Sequence, residues 1–289
     1  MELHQLRYFC AVVDTHSFSR AAVQCHVSQP SLSQQILKLE DELSVRLFDR
    51  LGRSIRLTAA GETFLPRARA VLRELEAARG DVNEQKHSVS GAVTIGVIPT
   101  VAPYLLPAHL LRFSRKFPQA QLSIVEEITP ILLDRLRAAT IDLAVLALPI
   151  RGHEFESFPI LTEPLFAALP RRHKLARVPA LSLKDLRSDP FLLLRDGHCF
   201  RDTAVAACDR ARLHPQIVFE SGQFSSLLSM VAAGMGVSIV PEMAVDKNSR
   251  CVYVRLSDEQ AVRTIGAVRL RGRSFTRAQS SLLSQLLNL

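Results

Sequence analysis

A chain of 289 residues with 47% hydrophobic residues is long enough for two or three domains with sizeable cores. Its formal net charge of +8 suits a nucleic-acid partner, but residues 1–66 carry seven Lys and Arg against seven Asp and Glu, so any DNA argument rests on local arrangement. No apolar run reaches the roughly 18 residues that span a bilayer, and residues 1–14 lack the apolar block of a signal peptide. We therefore expect a cytoplasmic protein without a membrane partner, whose cysteines are reduced by default.

The first 42 residues are predicted to form three helices, with a tight turn between the last two. Apolar residues at helical spacing indicate the first helix, and Ser17 and Ser28 are suitable N-caps for the second and third. The early outward face of the third helix carries side chains that can hydrogen-bond base edges and phosphates: Gln29, Ser31, Ser33, Gln34 and Lys38. This order is typical of a helix-turn-helix, but a generic helical hairpin shares much of the pattern, so periodicity alone leaves both interpretations open.

The next segment predicts a small β-hairpin with arginines at its tip. Residue types alternate around Gly52, and Asp49 is the single acidic residue among four arginines: Arg46, Arg50, Arg53 and Arg56. Directly after a helix-turn-helix, such a hairpin is interpreted as a wing that contacts the phosphate backbone. A solvated turn would have a similar sequence.

A long helix capped by Thr58 is predicted to follow. Its apolar residues alternate spacings of three and four, with one arginine in the series: Leu65, Ala68, Leu72, Leu75, Arg79 and Val82. A heptad seam of this kind favours pairing with a second helix, so we expect dimerisation, with packing against the helix's own domain as the alternative. The polar residues 85–91 indicate a hinge.

Beyond residue 91 the pattern changes to alternating strands and helices. It predicts strands over 92–97, 122–125, 143–148, 191–194, 216–219 and 237–240, and helices over 104–116, 131–139, 201–212 and 224–233. A second lobe is expected to begin at 160–169, and the chain to return to the first lobe at 264–269 before a final helix. This alternation predicts two α/β lobes on a mostly parallel sheet, with a ligand-binding cleft between them. Thr100 and Thr129 follow the first two strands, where sites in open sheets lie, although either residue also suits a helix cap.

Cys199 has the surroundings of a reactive thiol. Gly197 permits a tight turn just before it. Three neighbours are candidates for the positive charge that lowers a thiol's pKa from about 8.5: Arg195, His198 and Arg201. Cys208 lies further along the predicted helix, where the two Cα atoms would be roughly 13 Å apart, whereas a disulfide needs about 7 Å or less. A bond between these cysteines therefore requires the segment to rearrange, as in a redox switch.

Two other interpretations of the cysteines stay open. Cysteines in a cytosolic chain are often buried small hydrophobic residues. A zinc site is also conceivable from His198, Cys199, Cys208 and His214, although its spacing is not a familiar tetrahedral pattern.

The N-terminal elements contain a further set of motifs: Ala21-Ala22, residues 27–33, Leu39-Glu40, Leu43, Leu47-Phe48 and residues 57–61. With these motifs, residues 1–66 resemble the DNA-binding domain of the LysR-type transcriptional regulators, and the resemblance continues over essentially the whole chain. A second set lies in the C-terminal part: residues 98–101, 103–107, 196–199, 201–202, Cys208, 230–234 and 263–266. Through this set the sequence resembles the OxyR hydrogen-peroxide sensors within that family.

The resemblance implies an α/β protein with three regions: a winged helix-turn-helix over 1–58, a dimerisation helix and hinge over 59–90, and a two-lobed regulatory domain over 91–289, similar in fold to periplasmic binding proteins. It implies that Cys199 is the peroxidatic thiol and Cys208 the resolving thiol, with no cofactor and no metal. The implied peroxide-binding residues are Thr100, Thr129, His198 and Arg263. The implied DNA-binding residues are Gln29, Pro30, Ser31, Ser33, Gln34, Lys38, Arg50 and Arg53.

The implied function is that of a cytoplasmic transcription regulator, not an enzyme, which senses hydrogen peroxide through a reversible Cys199–Cys208 disulfide and controls oxidative-stress genes. Its expected partners are double-stranded promoter DNA, hydrogen peroxide, RNA polymerase, a thiol reductant and further copies of itself in a homotetramer. The alternatives are a regulator that binds a small organic effector in the cleft, and a thiol peroxidase, in which a helix-turn-helix has no place. Phe200 replaces a more usual leucine, and the remaining cysteines are expected to be structural: Cys10, Cys25 and Cys251.

Overall fold

The computed structural model describes residues 1–51, 54–82, 89–246 and 248–288. The chain divides into two compact units, one containing Met1–His87 and the other containing Ser88–Leu136, Ile141–Arg273 and Arg277–Leu289. Among the described residues, no helix combines the length and the apolar character needed to cross a membrane.

The N-terminal unit is a winged helix-turn-helix. Its elements are α1 (Leu3–Thr15), α2 (Phe18–Gln24), α3 (Gln29–Leu43), β1 (Phe48–Leu51), β2 (Ser54–Leu57) and α4 (Ala59–Val82). The predicted caps are present, because the hydroxyls of Ser17 and Ser28 accept hydrogen bonds from main-chain N–H groups in the first turns of α2 and α3. Strands β1 and β2 pair antiparallel as the predicted hairpin.

A small aromatic core holds this unit together. The ring of Phe9 on α1 lies 5.2 Å from the ring of Phe48 and 5.3 Å from that of Phe64, measured between centroids. The buried carboxylate of Glu40 on α3 accepts hydrogen bonds from the main-chain N–H groups of Leu47 (2.7 Å) and Phe48 (3.1 Å). These two bonds fix the start of the hairpin to the end of α3.

Part of the apolar seam predicted along α4 packs against the core of its own unit. Ala68 is buried in the aromatic core, and Leu65 and Leu72 pack against it. The first half of the seam therefore packs within its own unit, which is the alternative interpretation to dimerisation. Val71 is exposed and Leu75 is half-buried, so apolar surface continues further along the helix. Arg79 and Val82 carry side chains outside the described part of the structure.

The second unit contains two α/β lobes. Its helices are α5 (Ala102–Lys116), α6 (Thr129–Arg137), α7 (Cys199–Arg210), α8 (Phe224–Ala232) and α9 (Arg277–Leu287). Its strands are β3 (Gly91–Val97), β4 (Ala120–Glu126), β5 (Leu143–Leu148), β6 (Phe155–Pro170), β7 (Ala180–Leu181), β8 (Pro190–Leu194), β9 (Gln216–Ser221), β10 (Ser238–Pro241), β11 (Cys251–Leu256) and β12 (Val262–Leu270). The predicted order of strands and helices is confirmed.

The main sheet is mixed rather than mostly parallel. Its strand order is β4-β3-β5-β12-β6-β11-β7, with β10 also paired to β6. Strands β3, β4 and β5 are parallel, but β12 is antiparallel to both β5 and β6. Strand β6 is 16 residues long and pairs with β12 in one lobe and with β10 and β11 in the other. One continuous strand therefore connects the two lobes.

Candidate functional site

The turn before α7 places Cys199 at the helix N-terminus. Gly197 has φ +90°, in the left-handed region that glycine enters readily, and a Cβ there would lie 3.1 Å from Cδ1 of Ile128. Arg201 secures the turn, because its guanidinium donates to the carbonyl of Leu194 (2.9 Å) and pairs with Asp196 (2.7 Å) and Glu220. Helix α7 begins at Cys199 itself, two residues before the predicted start.

The Cys199 thiol lies where the two lobes meet. Its helix belongs to the second lobe, but its sulfur interacts with the Thr129 side chain and the Ala147 main-chain amide, which belong to the first. Burial raises the pKa of the Cys199 thiol, while Thr129, the Arg263 charge and the Ala147 amide lower it in part, and Asp202 raises it. The balance is a raised pKa, so the reduced site holds a thiol at neutral pH.

The cation that acts on Cys199 is not one of its sequence neighbours. Burial and nearby Arg195 lower the pKa of His198, so its imidazole is neutral at pH 7. Arg201 is engaged by two carboxylates. The positive charge that lowers the pKa of the thiol comes instead from Arg263 on β12. The expectation that Arg195, His198 or Arg201 supplies it is therefore wrong.

The Arg263 side chain is held on several sides. Its Nε and Nη2 lie 2.8 and 2.7 Å from Oε1 of Glu163, and Nη1 donates to Oγ1 of Thr100 at 3.1 Å. Its Cζ lies 5.1 Å from the ring centroid of Phe200. The side chains of Arg263 and Glu163 are 1% and 4% exposed. A buried, paired guanidinium keeps its charge, although burial lowers its pKa.

Two polar atoms in this region lack a partner. Oγ1 of Thr129 and Nε2 of His198 are buried and make no hydrogen bond with the described residues. The Thr129 hydroxyl is close enough to lower the pKa of the Cys199 thiol, yet it does not reach ordinary hydrogen-bond geometry. Buried polar groups without partners are unusual, so this region is suited to a small polar molecule.

Cys208 lies away from these groups, in the core of the second lobe. It is fully buried on α7, and burial, with smaller effects of Asp209 and Asp258, raises the pKa of its thiol to about 12. Since α7 is continuous from Cys199 to Arg210, the two cysteine Cα atoms are about 13 Å apart. Both thiols are free.

The zinc arrangement is not formed. In the part of the chain that the structure describes, no three His, Cys, Asp or Glu side chains are grouped so that they could hold a metal ion, and this includes His198, Cys199, Cys208 and His214.

Six of the predicted DNA-contacting residues lie on α3, between Gln29 at its first position and Lys38 in its second half. Five of them are exposed: Gln29, Pro30, Ser31, Gln34 and Lys38. Ser33 is half-buried, and its hydroxyl accepts a hydrogen bond from Nε2 of Gln29 (2.9 Å). In the hairpin, Arg53 and the side chain of Arg50 lie outside the described residues.

Sequence reasoning missed Glu163, Ala147 and the contact made by Phe200. Glu163 is a cross-strand neighbour of Arg263, and a pairing between residues so far apart in the chain leaves no local pattern. The available signal was an acidic residue close to the apolar run over residues 165–169 of the same strand.

Comparisons with known proteins give consistent findings. Residues 3–62 match the bacterial regulatory helix-turn-helix protein, lysR family, and residues 86–289 match the LysR substrate binding domain. The chain is 37% identical over 271 residues to the DNA-binding transcriptional dual regulator OxyR of Escherichia coli (strain K12), covering 93% of this chain and 89% of that protein.

Two solved structures are similar over nearly the whole chain. A full-length OxyR variant of Pseudomonas aeruginosa has a TM-score of 0.84 and 32% identity, covering 100% of this chain and 94% of that one. A hydrogen-peroxide-bound OxyR mutant of Corynebacterium glutamicum has a TM-score of 0.63 and 30% identity, covering 99% of this chain and 90% of that one.

Proposed function

Because this chain belongs to the LysR family of transcriptional regulators, we propose that it senses hydrogen peroxide through Cys199 and controls oxidative-stress genes by binding promoter DNA. The observation that carries the proposal is the surroundings of Cys199, which combine a buried cation, Arg263, with the unpartnered polar atoms of Thr129 and His198. The likeness to OxyR proteins, one of them bound to peroxide, supports it.

In the proposed first step, Cys199 is oxidised by peroxide. Its thiolate attacks one peroxide oxygen, a sulfur–oxygen bond forms and the oxygen–oxygen bond breaks. The departing hydroxide takes the proton released by the thiol and leaves as water. Thr100 and Arg263 stabilise charge on the departing oxygen, and Thr129 and His198 hold the peroxide beside the sulfur.

In the proposed second step, Cys208 resolves the sulfenic acid. Its thiolate attacks the Cys199 sulfur, the disulfide forms, the sulfur–oxygen bond breaks, and hydroxide leaves as water after taking the Cys208 proton. The reduced fold keeps these cysteines about 13 Å apart, so α7 must open first. A thiol reductant later returns both cysteines to thiols.

The disulfide is proposed to hold a second conformation that changes contacts between copies of the chain. Respaced helix-turn-helix units, in a homotetramer built as a dimer of dimers, would then present the promoter differently to RNA polymerase. The protein is proposed to act in the cytoplasm and to respond stoichiometrically, without the turnover that defines a thiol peroxidase.

The second candidate is a regulator that binds a small organic effector between the lobes. The two unpartnered buried atoms would suit such a molecule as well. This candidate predicts that the DNA footprint changes with the effector and that the change does not depend on Cys199.

The test is thiol trapping with and without peroxide, read by mass spectrometry, alongside DNA footprinting. Cys199→Ser should abolish the footprint change, and Cys208→Ser should accumulate sulfenic acid without a disulfide. Cys251→Ser, another buried cysteine, is the matched control and should behave as wild type. A footprint that still changes in Cys199→Ser would sink the proposal and move the small-effector candidate ahead.

A further inference from the structure

We propose that Glu163 is a positioning residue, which fixes the guanidinium of Arg263 against the Cys199 site. The inference rests on the proposed function, because the reaction that it supports is the oxidation of Cys199. It adds a residue that does not touch the sulfur and acts only through Arg263.

Both carboxylate oxygens of Glu163 are in use. Oε1 accepts from Nε and Nη2 of Arg263 at 2.8 and 2.7 Å. Oε2 accepts from the main-chain N–H of Met243 at 2.8 Å. Main-chain atoms are the least mobile anchors in a fold, so the Met243 bond fixes the carboxylate, and the carboxylate fixes the guanidinium.

The remaining contacts of Arg263 leave its guanidinium little freedom. Nη1 of Arg263 donates to the Thr100 hydroxyl, and Nη2 donates to the Thr100 carbonyl at 3.4 Å. The Phe200 ring lies against one face of the guanidinium. Among the described residues, these bonds use four of the five guanidinium N–H groups. The fifth is on Nη1, the nitrogen that also contacts the Thr100 hydroxyl, so the free donor lies beside a proposed peroxide-binding group.

A carboxylate is required at this position because both of its anchors are donors. Glutamine has one oxygen and one NH₂ group in the same shape. In Glu163→Gln, the NH₂ group must face either the main-chain N–H of Met243 or the guanidinium of Arg263. In either orientation two hydrogen-bond donors face each other, and one of the two original hydrogen-bonding contacts is lost. The guanidinium is then displaced, and a displacement of about 1 Å costs up to roughly a hundredfold in rate.

The first measurement is the rate of peroxide oxidation of Cys199 in a Cys208→Ser background, where the reaction stops at the sulfenic acid. Glu163→Gln should lower this rate by about tenfold to a hundredfold. In an Arg263→Gln background the same change should alter the rate by less than about twofold, since the group through which Glu163 acts is gone. Equal effects of Glu163→Gln in both backgrounds would overturn the inference.

The second measurement does not use peroxide. The rate of Cys199 alkylation by iodoacetamide is followed against pH in the same variants. Glu163→Gln should move the profile to higher pH, because a displaced Arg263 no longer lowers the pKa of the thiol. A shift to lower pH would mean that the charge of Glu163, not its position, controls the thiol, and the inference would fail. The alkylation profile therefore decides the inference even if peroxide leaves wild-type Cys199 unoxidised, which would instead defeat the proposed function.

The matched control is Glu156→Gln. Glu156 pairs with Arg269 across the same two strands, β6 and β12, at 2.7–2.8 Å, and Arg269 is not among the groups that act on the Cys199 thiol. The rate of Cys199 oxidation and the pH profile of alkylation in Glu156→Gln should match those of the protein with Glu156 and Glu163 intact. Glu163→Asp keeps two acceptors on a shorter side chain and should fall between wild type and Glu163→Gln. It replaces the glutamine variant if thermal unfolding shows that variant to be unfolded at assay temperature.

Discussion

Cys199 is under opposing influences from groups far away in the sequence. Burial dominates and raises the pKa of its thiol, and Arg263 offsets that effect only in part. A reactive cysteine is usually expected to be a thiolate at rest. Here the sulfur is held mainly as a thiol, so its reactivity depends on the small ionised fraction and on how well the surrounding donors are placed.

The raised pKa predicts a pH dependence. The rate of Cys199 oxidation by peroxide should rise steadily between pH 6 and 8, by close to tenfold for each pH unit, because the thiolate fraction grows in that proportion well below the pKa. Stopped-flow measurements on the Cys208→Ser variant would give the profile, with Cys199→Ser as the blank. A rate that stays flat over this range would place the pKa below about 6 and contradict the structure.

The sequence indicated where Thr100 and Thr129 lie in the fold, but it did not indicate which cation lies near Cys199. The positions of Thr100 and Thr129 after parallel strands correctly suggested the carboxyl ends of a sheet, and both strands are present. The source of positive charge was predicted wrongly, because proximity in sequence pointed to His198 while the sheet pairing brings in Arg263. Residue type and spacing contain no information about such a cross-strand approach.

Most of the helices and strands were predictable, but β7, β11 and the full length of β6 were not. Strand β6 includes Pro159 and Pro164, and proline inside a run argues against a continuous strand. In the structure Pro159 lies at a bulge opposite Gly266, and Pro164 lies where β6 passes from β12 to β10. Both prolines therefore fall where regular ladder pairing is interrupted, which local sequence patterns do not reveal.

The polar side chains along α3 predict how DNA affinity should respond to substitution. Gln29→Ala and Ser33→Ala should each weaken specific binding by about 1–3 kcal/mol, and their effects should not add, because these side chains hydrogen-bond each other. Lys38→Ala should weaken specific and nonspecific binding alike and lower the salt slope by about one. Fluorescence anisotropy at several salt concentrations would measure all three variants.

The control is Lys184→Ala, which removes an exposed charge from the other unit. Unchanged operator affinity in Gln29→Ala, Ser33→Ala and Lys38→Ala would mean that another surface contacts DNA.

For the whole molecule, α4 offers apolar surface that its own unit does not cover. Val71 and Leu75 are one helical turn apart, and Val71 is 45% exposed. We predict that Leu75→Glu and Val71→Glu shift a dimeric or larger assembly towards monomer, since each places a charge in an apolar contact between helices. Analytical ultracentrifugation at micromolar concentration would measure the shift.

Ala70→Glu is the control, because it adds the same charge on a different face of α4 and should leave the assembly intact. A wild-type protein that sediments only as a monomer would rule out this role for α4.

The burial of Cys208 implies that the proposed disulfide forms only when oxidation of Cys199 lasts long enough. Its thiol sits in a hydrophobic core with a pKa of about 12, so it is almost fully protonated and out of reach while α7 is intact. During a brief exposure to oxidant, Cys199 would be oxidised to the sulfenic acid and then reduced again before α7 opened. Only an exposure that outlasts the opening time of α7 would be recorded as a disulfide. The packing of the second lobe around Cys208 would thus delay disulfide formation. Short rises in peroxide concentration would not produce the disulfide, whereas sustained ones would.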